Sequence, residues 1–578
     1  MSDTGAAEGK PLHKNELLKA GSNFLRGNIL RDLEDASSAT ISEESGQLTK
    51  FHGIYPQDDR DLRAQRRREG KEKAYIFMAR VRVPGGVCTP AQWLAMDEIA
   101  DRHGNSTLKI TNRQAFQLHG VVKGELRPAI REVNRALLDT LAACGDVVRN
   151  VMCNPNPHIS ALHAQTLEIV KQVSSHLSPR TRAYHEIWVD DQLVAGGEPE
   201  EDAEPIFGKT YLPRKFKVVF AVPPSNDVDV FAHDLGFIAI TDGDGRLSGF
   251  NVTVGGGMGM THGQVETYPR LADVLGFCRP GEVVDVAEKI VTVQRDFGDR
   301  TDRKHARFKY TVADRGLVWI RREVERRLGW ELGSPRRFEF TDTGDRYGWT
   351  RGPNGDSHFT VFIENGRVKG STKAALREIA RIHKGDFRLT PNQHLMIASI
   401  PHLERPRIEA LLKEHGLDTA HRATGLRLNA MACVALPTCG LALAESERYL
   451  PDLVTQLDEE IEAAGLRDDA IVIRMTGCPN GCGRPYLAEI GFVGKAPGKY
   501  NMYLGAAFNG SRLNALYRTS VAAAEIAPLV RPLLRRYATE RLPGERFGDF
   551  TLRVGLVHPT GTPADFHAQT AMSDRAEL

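Results

Sequence analysis

Four cysteines in the last third of the chain carry the clearest chemistry. Cys433 and Cys439 are separated by five residues, Cys478 and Cys482 by three, and 38 residues lie between the pairs. Thiolates bind soft metals and iron–sulfur clusters. Pro479, Asn480 and Gly481 form a turn that glycine makes sterically cheap, so the flanking thiols can aim at one point while backbone N–H groups face the sulfurs. The spacing leaves three readings open: buried cysteines acting as small hydrophobes, a structural zinc site, or a cluster. Zinc sites usually place roughly two to four residues inside each pair, and unequal knuckles are commoner around clusters, which favours the cluster. Cys88, Cys144, Cys153 and Cys278 are scattered and read as buried, inert thiols.

A second constellation is basic. Lys215 and Lys217 lie in the stretch 212–220, where a period of two residues puts both ammonium groups on one face of a strand. A strand entering an apolar run is a costly place for two like charges. Arg80 lies on another apolar strand, and Arg149 stands within 147–152. Each could simply reach solvent along its own stem. Converging on a pocket, the four would bind a small oxyanion and stabilise charge as its oxygens leave. Arg113, Gln117 and His119 alternate along 107–122. They offer either a polar face for the carboxylates of a large anionic cofactor or an exposed face of an antiparallel strand.

These side chains need a frame. Residues 1 to about 70 are polar, with a charge-dense run over 57–69, and read as an arm that wraps the body or a partner. The body begins with a strand at 75–83. Thr89 caps a helix with Pro90 at its first position, Trp93, Met96 and Ile99 form its apolar stripe, and Gly104 lies past its end. A strand over 107–122 and a helix over 127–143 complete a β-α-β-α unit. The run Leu108-Lys109-Ile110-Thr111-Asn112-Arg113-Gln114 is echoed by Phe387-Arg388-Leu389-Thr390-Pro391-Asn392-Gln393, 279 positions on. A strand at 358–363 and helices around 376–382 and 405–415 repeat the order, and Val151-Met152-Cys153 has its counterpart in Met431-Ala432-Cys433. The chain reads as two copies of a unit of roughly 280 residues, a pseudo-twofold body with a ligand at the junction. The glycine-rich run 254–260 matches no nucleotide-binding fingerprint and would let backbone approach a flat ligand. Residues 242–245 read as a hairpin turn.

Composition bounds the rest. A length of 578 residues implies several domains, and 41% hydrophobic with 26% charged residues describes a globular chain. No apolar run is long enough to span a membrane. The N-terminus lacks the apolar core of a secretory signal, which predicts a reducing, cytoplasmic setting in which the eight cysteines are not disulfides. Seventy-six basic against 74 acidic residues give no global field for a polyanion, so nucleic acid is a poor partner.

With the cysteines, the repeated Thr-x-x-Gln segments and the basic set in hand, the chain resembles the sirohaem-dependent sulfite and nitrite reductase family. Arg80 with Pro84-Gly85-Gly86, Thr111 to Gln114, Tyr211 to Lys217, Arg300 to Lys304, and Thr476 to Gly483 look like its motifs. The arm, with Ser22 to Gly27 and Phe51 to Tyr55, looks most like that of bacterial members that work with an NADPH-oxidising flavoprotein. The resemblance implies an α+β, duplicated fold with ferredoxin-like half-domains around a sirohaem and a 4Fe-4S cluster. It divides the chain into an arm (1–74), a first ferredoxin-like half-domain (75–145), a first sirohaem and substrate domain (146–344), a second half-domain (345–420) and a cluster and sirohaem domain (421–578).

It further implies that Cys433, Cys439, Cys478 and Cys482 hold the cluster, with Cys482 also the axial ligand of sirohaem. Arg80, Arg149, Lys215 and Lys217 would hold sulfite, while Asn112, Arg113, Gln117 and His119 would contact sirohaem. Lys217 favours sulfite over nitrite, since nitrite-preferring relatives tend to be neutral there. Lys109 stands where an arginine is expected, which would loosen one cofactor contact. The implied function is six-electron reduction of sulfite to sulfide in sulfate assimilation and cysteine biosynthesis. Electrons would come from an FAD/FMN flavoprotein subunit that alone handles NADPH, in a hetero-oligomer. The alternatives are a ferredoxin-fed enzyme or a nitrite reductase.

Overall fold

A computed structural model describes residues 10–155, 160–181, 183, 204–560 and 566–567. Four five-stranded sheets organise it, and they come in two matching pairs.

The first sheet runs Ile54–Asp58, Tyr75–Val81, Phe116–Val121, Leu108–Ile110, Arg367–Val368, and its counterpart runs Gly348–Arg351, Ser357–Val361, Leu395–Ile400, Asp386–Leu389, Val87–Cys88. The last strand of each is donated by the other half: Arg367 pairs with Lys109, and Val87 with Arg388. This reciprocal exchange ties the copies together. The helices Pro90–His103 and Gly370–Ile382 carry charges that also cross the junction. Lys373 lies 2.6 Å from Asp101, and Arg377 pairs with Asp97, a fully buried carboxylate. Trp93 stacks on Phe387 of the other half at 5.1 Å.

The second pair of sheets also matches. Met152–Cys153, Val218–Ala221 and Leu235–Thr241 are parallel neighbours, followed by antiparallel Leu247–Val254 and Asp273–Cys278. Ala430–Ala432, Ile473–Thr476 and Ile490–Ala496 are parallel, followed by antiparallel Lys499–Leu504 and Ala515–Ala522. The duplication and the α+β class are therefore as expected. Among the described residues no helix is long and apolar enough to cross a membrane.

Three local expectations need correction. The segment 107–122 is two strands, because Thr111 Oγ1 accepts from the N–H groups of Arg113 and Ala115 and Gln114 takes a positive φ of 49°. Arg113 therefore sits in the turn, out of the alternation of Gln117 and His119. The helix expected at 127–143 is Leu126–Arg135. Beyond it the chain is drawn back by a bridge in which the Arg82 N–H donates to Asp139 O at 2.7 Å, and this return delivers Arg149 to the site. The arm does wrap the body, and it also enters it, which its polarity did not suggest: Leu25, Ile29, Leu48, Phe51 and Ile54 are buried in the main core, and Ile54–Asp58 is an edge strand of the first sheet. Residues 242–245 do form the hairpin turn, with Asp242 N–H donating to Arg246 O at 2.9 Å.

Candidate active site

Both cysteine pairs follow parallel strands of the last sheet. Cys433 comes directly after Ala430–Ala432, and Cys478 two residues after Ile473–Thr476. The Gly477 N–H donates to Cys433 Sγ at 3.4 Å, and Asn480 Nδ2 lies 3.5 Å from Cys478 Sγ. Gly481 has φ 61°, and a Cβ there would meet Met258 O and the Tyr486 ring at 3.2 Å, so the turn favours glycine. The run 254–260 serves this turn: Met260 N–H donates to Pro479 O at 2.9 Å.

The four thiols feel one another. Burial and then the Cys482 charge push Cys433 and Cys439 upward, and the same causes push Cys478 up to about 11. Such a set rests as thiolates only when a cationic centre compensates it. Among the described residues no three His, Cys, Asp or Glu groups are gathered tightly enough for a single metal ion. The mutual influence of the four thiols places them around one region, as a shared centre would require.

The cations come from the other half, at the opposite ends of the equivalent strands. Arg149 precedes Met152–Cys153, and Lys215 and Lys217 immediately precede Val218–Ala221. The two lysines are thus on the approach to a strand rather than within one. One half presents cations at strand N-termini, and the other presents thiols at strand C-termini. Lys215 is pushed well below the usual lysine range by burial, then by Arg307, Arg149 and Arg214, with Cys482 pulling the other way. Lys217 is likewise pushed far down, by burial, then Arg113, Lys215 and Arg307, opposed by Asp234. Arg113 is driven to about 9 by burial and then Arg149. Both lysines keep part of their surface open, so water or an anion can reach them.

Asn112 touches the cysteine loop directly, its Nδ2 donating to Cys482 O at 2.5 Å. Arg113 donates to Asn150 O at 2.5 Å but leaves Nε and Nη1 buried without partners among the described residues. Gln117, with its amide oxygen toward Arg80, accepts from Nε at 3.2 Å and Nη2 at 2.5 Å, so it orients a cation. His119 is buried beside Arg367, Glu447 and Lys109 and held neutral mainly by burial, with Nδ1 unpartnered. Lys109 is spent: it bonds Glu447 Oε2 at 2.8 Å and Asn365 O, so its charge is matched within the protein rather than aimed at a cofactor.

Sequence reasoning missed several members. Cys144 Sγ accepts from Arg80 Nη1 at 2.9 Å, and Tyr55 hydrogen-bonds both Cys144 and Arg149, so Tyr55 and Cys144 hold two of the four cations. Arg307 donates to Asp234 at 3.0 Å. Arg484 bonds Asn112 O at 3.2 Å and Pro391 O at 3.1 Å, the equivalent turns of both copies, and pairs with Asp229 at 2.6 Å. Only Arg484 had a local signal, its position beside Cys482.

A family model described as the nitrite/sulfite reductase ferredoxin-like half domain matches residues 68–136 and again 351–415, and one described as the nitrite and sulphite reductase 4Fe-4S domain matches 171–332. The chain belongs to the nitrite and sulfite reductase family. It is 59% identical over 96% of its length, and 97% of the relative's, to "Sulfite reductase [NADPH] hemoprotein beta-component" of Geobacillus kaustophilus. It is 55% identical over 99% of its length, and 95% of the relative's, to the protein of the same name from Methylobacterium sp.. A solved structure, Mycobacterium tuberculosis NirA, superposes with TM-score 0.78 at 26% identity, covering 95% of this chain and 98% of that one.

Members of this family carry sirohaem and a 4Fe-4S cluster, and the residues fit both. The buried, unpartnered donors of Arg113 and His119 and the surplus of cations around Asp234 await a polyanion such as a macrocycle with many carboxylates. The coupled thiols fit a cluster beside it.

Proposed function

We propose that this chain reduces sulfite to sulfide, a six-electron change from sulfur(+4) to sulfur(−2); Cys433, Cys439, Cys478 and Cys482 would hold the cluster, and Cys482 would also help hold sirohaem. The observation that carries this is the meeting of two sets that neither half owns alone: cations from 146–344 and the ferredoxin-like half, thiols from 421–578. When bound, the two groups supply one-electron transfer and an iron to which the anion binds.

The protein's own residues do the rest. Arg80 and Arg149, held by Gln117, Cys144 and Tyr55, present fixed donors to the oxyanion. Lys215 and Lys217 add charge, and because burial loosens their protons they are also suited to hand protons to departing oxygens. A doubly charged anion gains more from this density than a singly charged one, which favours sulfite over nitrite. Asn112 ties the first copy to the cysteine turn through Cys482 O, and Arg113, anchored on Asn150 O, would face sirohaem.

Electrons enter from a flavoprotein partner carrying FAD and FMN, in a hetero-oligomer working in the cytoplasm. The names of the relatives and the arm motifs support this donor over ferredoxin. No nucleotide fingerprint is present, so the chain alone does not oxidise NADPH. Supplying a reduced artificial donor and measuring sulfide tests the proposal: sulfide should form from sulfite without the flavoprotein, and no sulfide with a loaded protein would contradict it.

A further inference from the structure

The charge-dense run after the first edge strand does something the sequence did not disclose. Ile54–Asp58 leaves the first sheet, and the next residues cross to the loop that carries Cys433 and Cys439. The Arg60 backbone N–H donates to Pro437 O at 3.2 Å. Its guanidinium Nη1 donates to Cys439 O at 3.1 Å and to Ala442 O at 2.5 Å. Asp61 accepts from Arg448 Nη1 at 2.6 Å, further along the same loop. The strap is anchored at its root, where Arg63 grips Asp58 with Nε at 2.5 Å and Nη2 at 2.7 Å. Arg60 precedes every segment that the family models match.

We propose that Arg60 is a positioning residue of the iron–sulfur site: the arm uses it to clamp the Cys439 turn and to set a positive charge beside the cluster. This rests on the reading of Cys433, Cys439, Cys478 and Cys482 as cluster ligands. Two carbonyls bonded by one guanidinium nitrogen, with a third held by the same residue's backbone, fix the loop that must keep two thiolates at cluster spacing. A cation this near favours the more negative, reduced form of the cluster and so raises its midpoint potential. Because Arg60 is only half-buried, solvent and salt screen part of that effect.

The test compares Arg60→Gln, Arg60→Lys and Asp61→Asn in the cofactor-loaded protein, following the cluster's reduced-state paramagnetic resonance during a redox titration and its iron loss to a chelator. Arg60→Gln should shift the midpoint to lower potential and speed iron loss about tenfold, the worth of a bond to a charged group. Arg60→Lys should keep a potential nearer the wild type, while Asp61→Asn, which loosens the strap but keeps the Arg60 cation, should speed iron loss without the fall in potential seen in Arg60→Gln. A wild-type cluster whose potential and iron loss are both unchanged in Arg60→Gln overturns the role of Arg60 alone. A wild-type loaded protein with no cluster signal overturns the ligand reading and this inference with it. If Arg60→Gln does not fold, an Arg60→Lys protein with wild-type iron loss overturns the clamp, and faster loss supports it.

Discussion

The side-chain amide of Asn112 donates to the main-chain carbonyl of Cys482 at 2.5 Å, across 370 residues of sequence. One turn of the first copy thus sets the position of a cysteine in the second, and Arg484 doubles the link by bonding Asn112 O. Replacing Asn112 with Ala should leave a carbonyl short of a donor at a cost of about 1 kcal/mol. Asn112→Asp should be worse, because a carboxylate would face the carbonyl. Visible absorbance per chain checks this, with sirohaem content falling in the order wild type, Ala, Asp.

Lys217 bears on substrate choice. Lys217→Asn should raise the sulfite KM about tenfold or more, the loss of a charge-assisted contact, and affect nitrite less. Steady-state rates with an artificial donor on both anions report the ratio. Unchanged selectivity would remove the charge argument for sulfite.

Lys109 and Glu447 form a buried pair, joined by Arg367 at 2.7 Å. Glu447→Gln leaves two cations without their carboxylate and should cost about 3–5 kcal/mol, read as a lower denaturant midpoint. The Glu447 carboxyl is held down to about 2, against burial, by Lys109 and Arg367. Its folded pKa lies below the unfolded one, so the stability it contributes is present above about 4.5 and lost as pH falls toward 2.

Glu489 has the opposite sign. It is fully buried and accepts from the N–H groups of Val472 and Gly548, both at 2.9 Å, and burial raises it to about 7. The folded state therefore holds a proton that the unfolded chain has already released between about 4.5 and 7, and stability should fall as pH rises through that window. Glu489→Gln should flatten this part of the profile, which denaturation at several pH values would show.

The duplication was legible because Thr111 to Gln114 and Thr390 to Gln393 are contiguous and share flanking patterns. The strand exchange was not: Val87–Cys88 and Arg367–Val368 are two residues each, too short to leave a period. The helix expected to reach 143 stopped at Arg135 because a tertiary bond to Asp139, invisible locally, pulls the chain back toward the sheet. Lys109 read as a cofactor contact since its partner Glu447 lies 338 positions away. Tyr55 and Cys144 escaped for the same reason: nothing in a polar arm or a lone thiol reveals that they hold Arg80 and Arg149. Type and spacing thus singled out the candidate groups, while the groups that orient them appear only once distant segments meet.

Cys482 is the residue proposed to serve both metal centres. Visible spectra with iron and acid-labile sulfide analysis of wild type and Cys482→Ser test it most directly. The wild-type protein should show sirohaem bands and the iron and sulfide of a four-iron cluster plus one haem iron, and the variant should lose both together. A colourless zinc protein, or a Cys482→Ser protein that keeps its sirohaem and cluster unchanged, would contradict it.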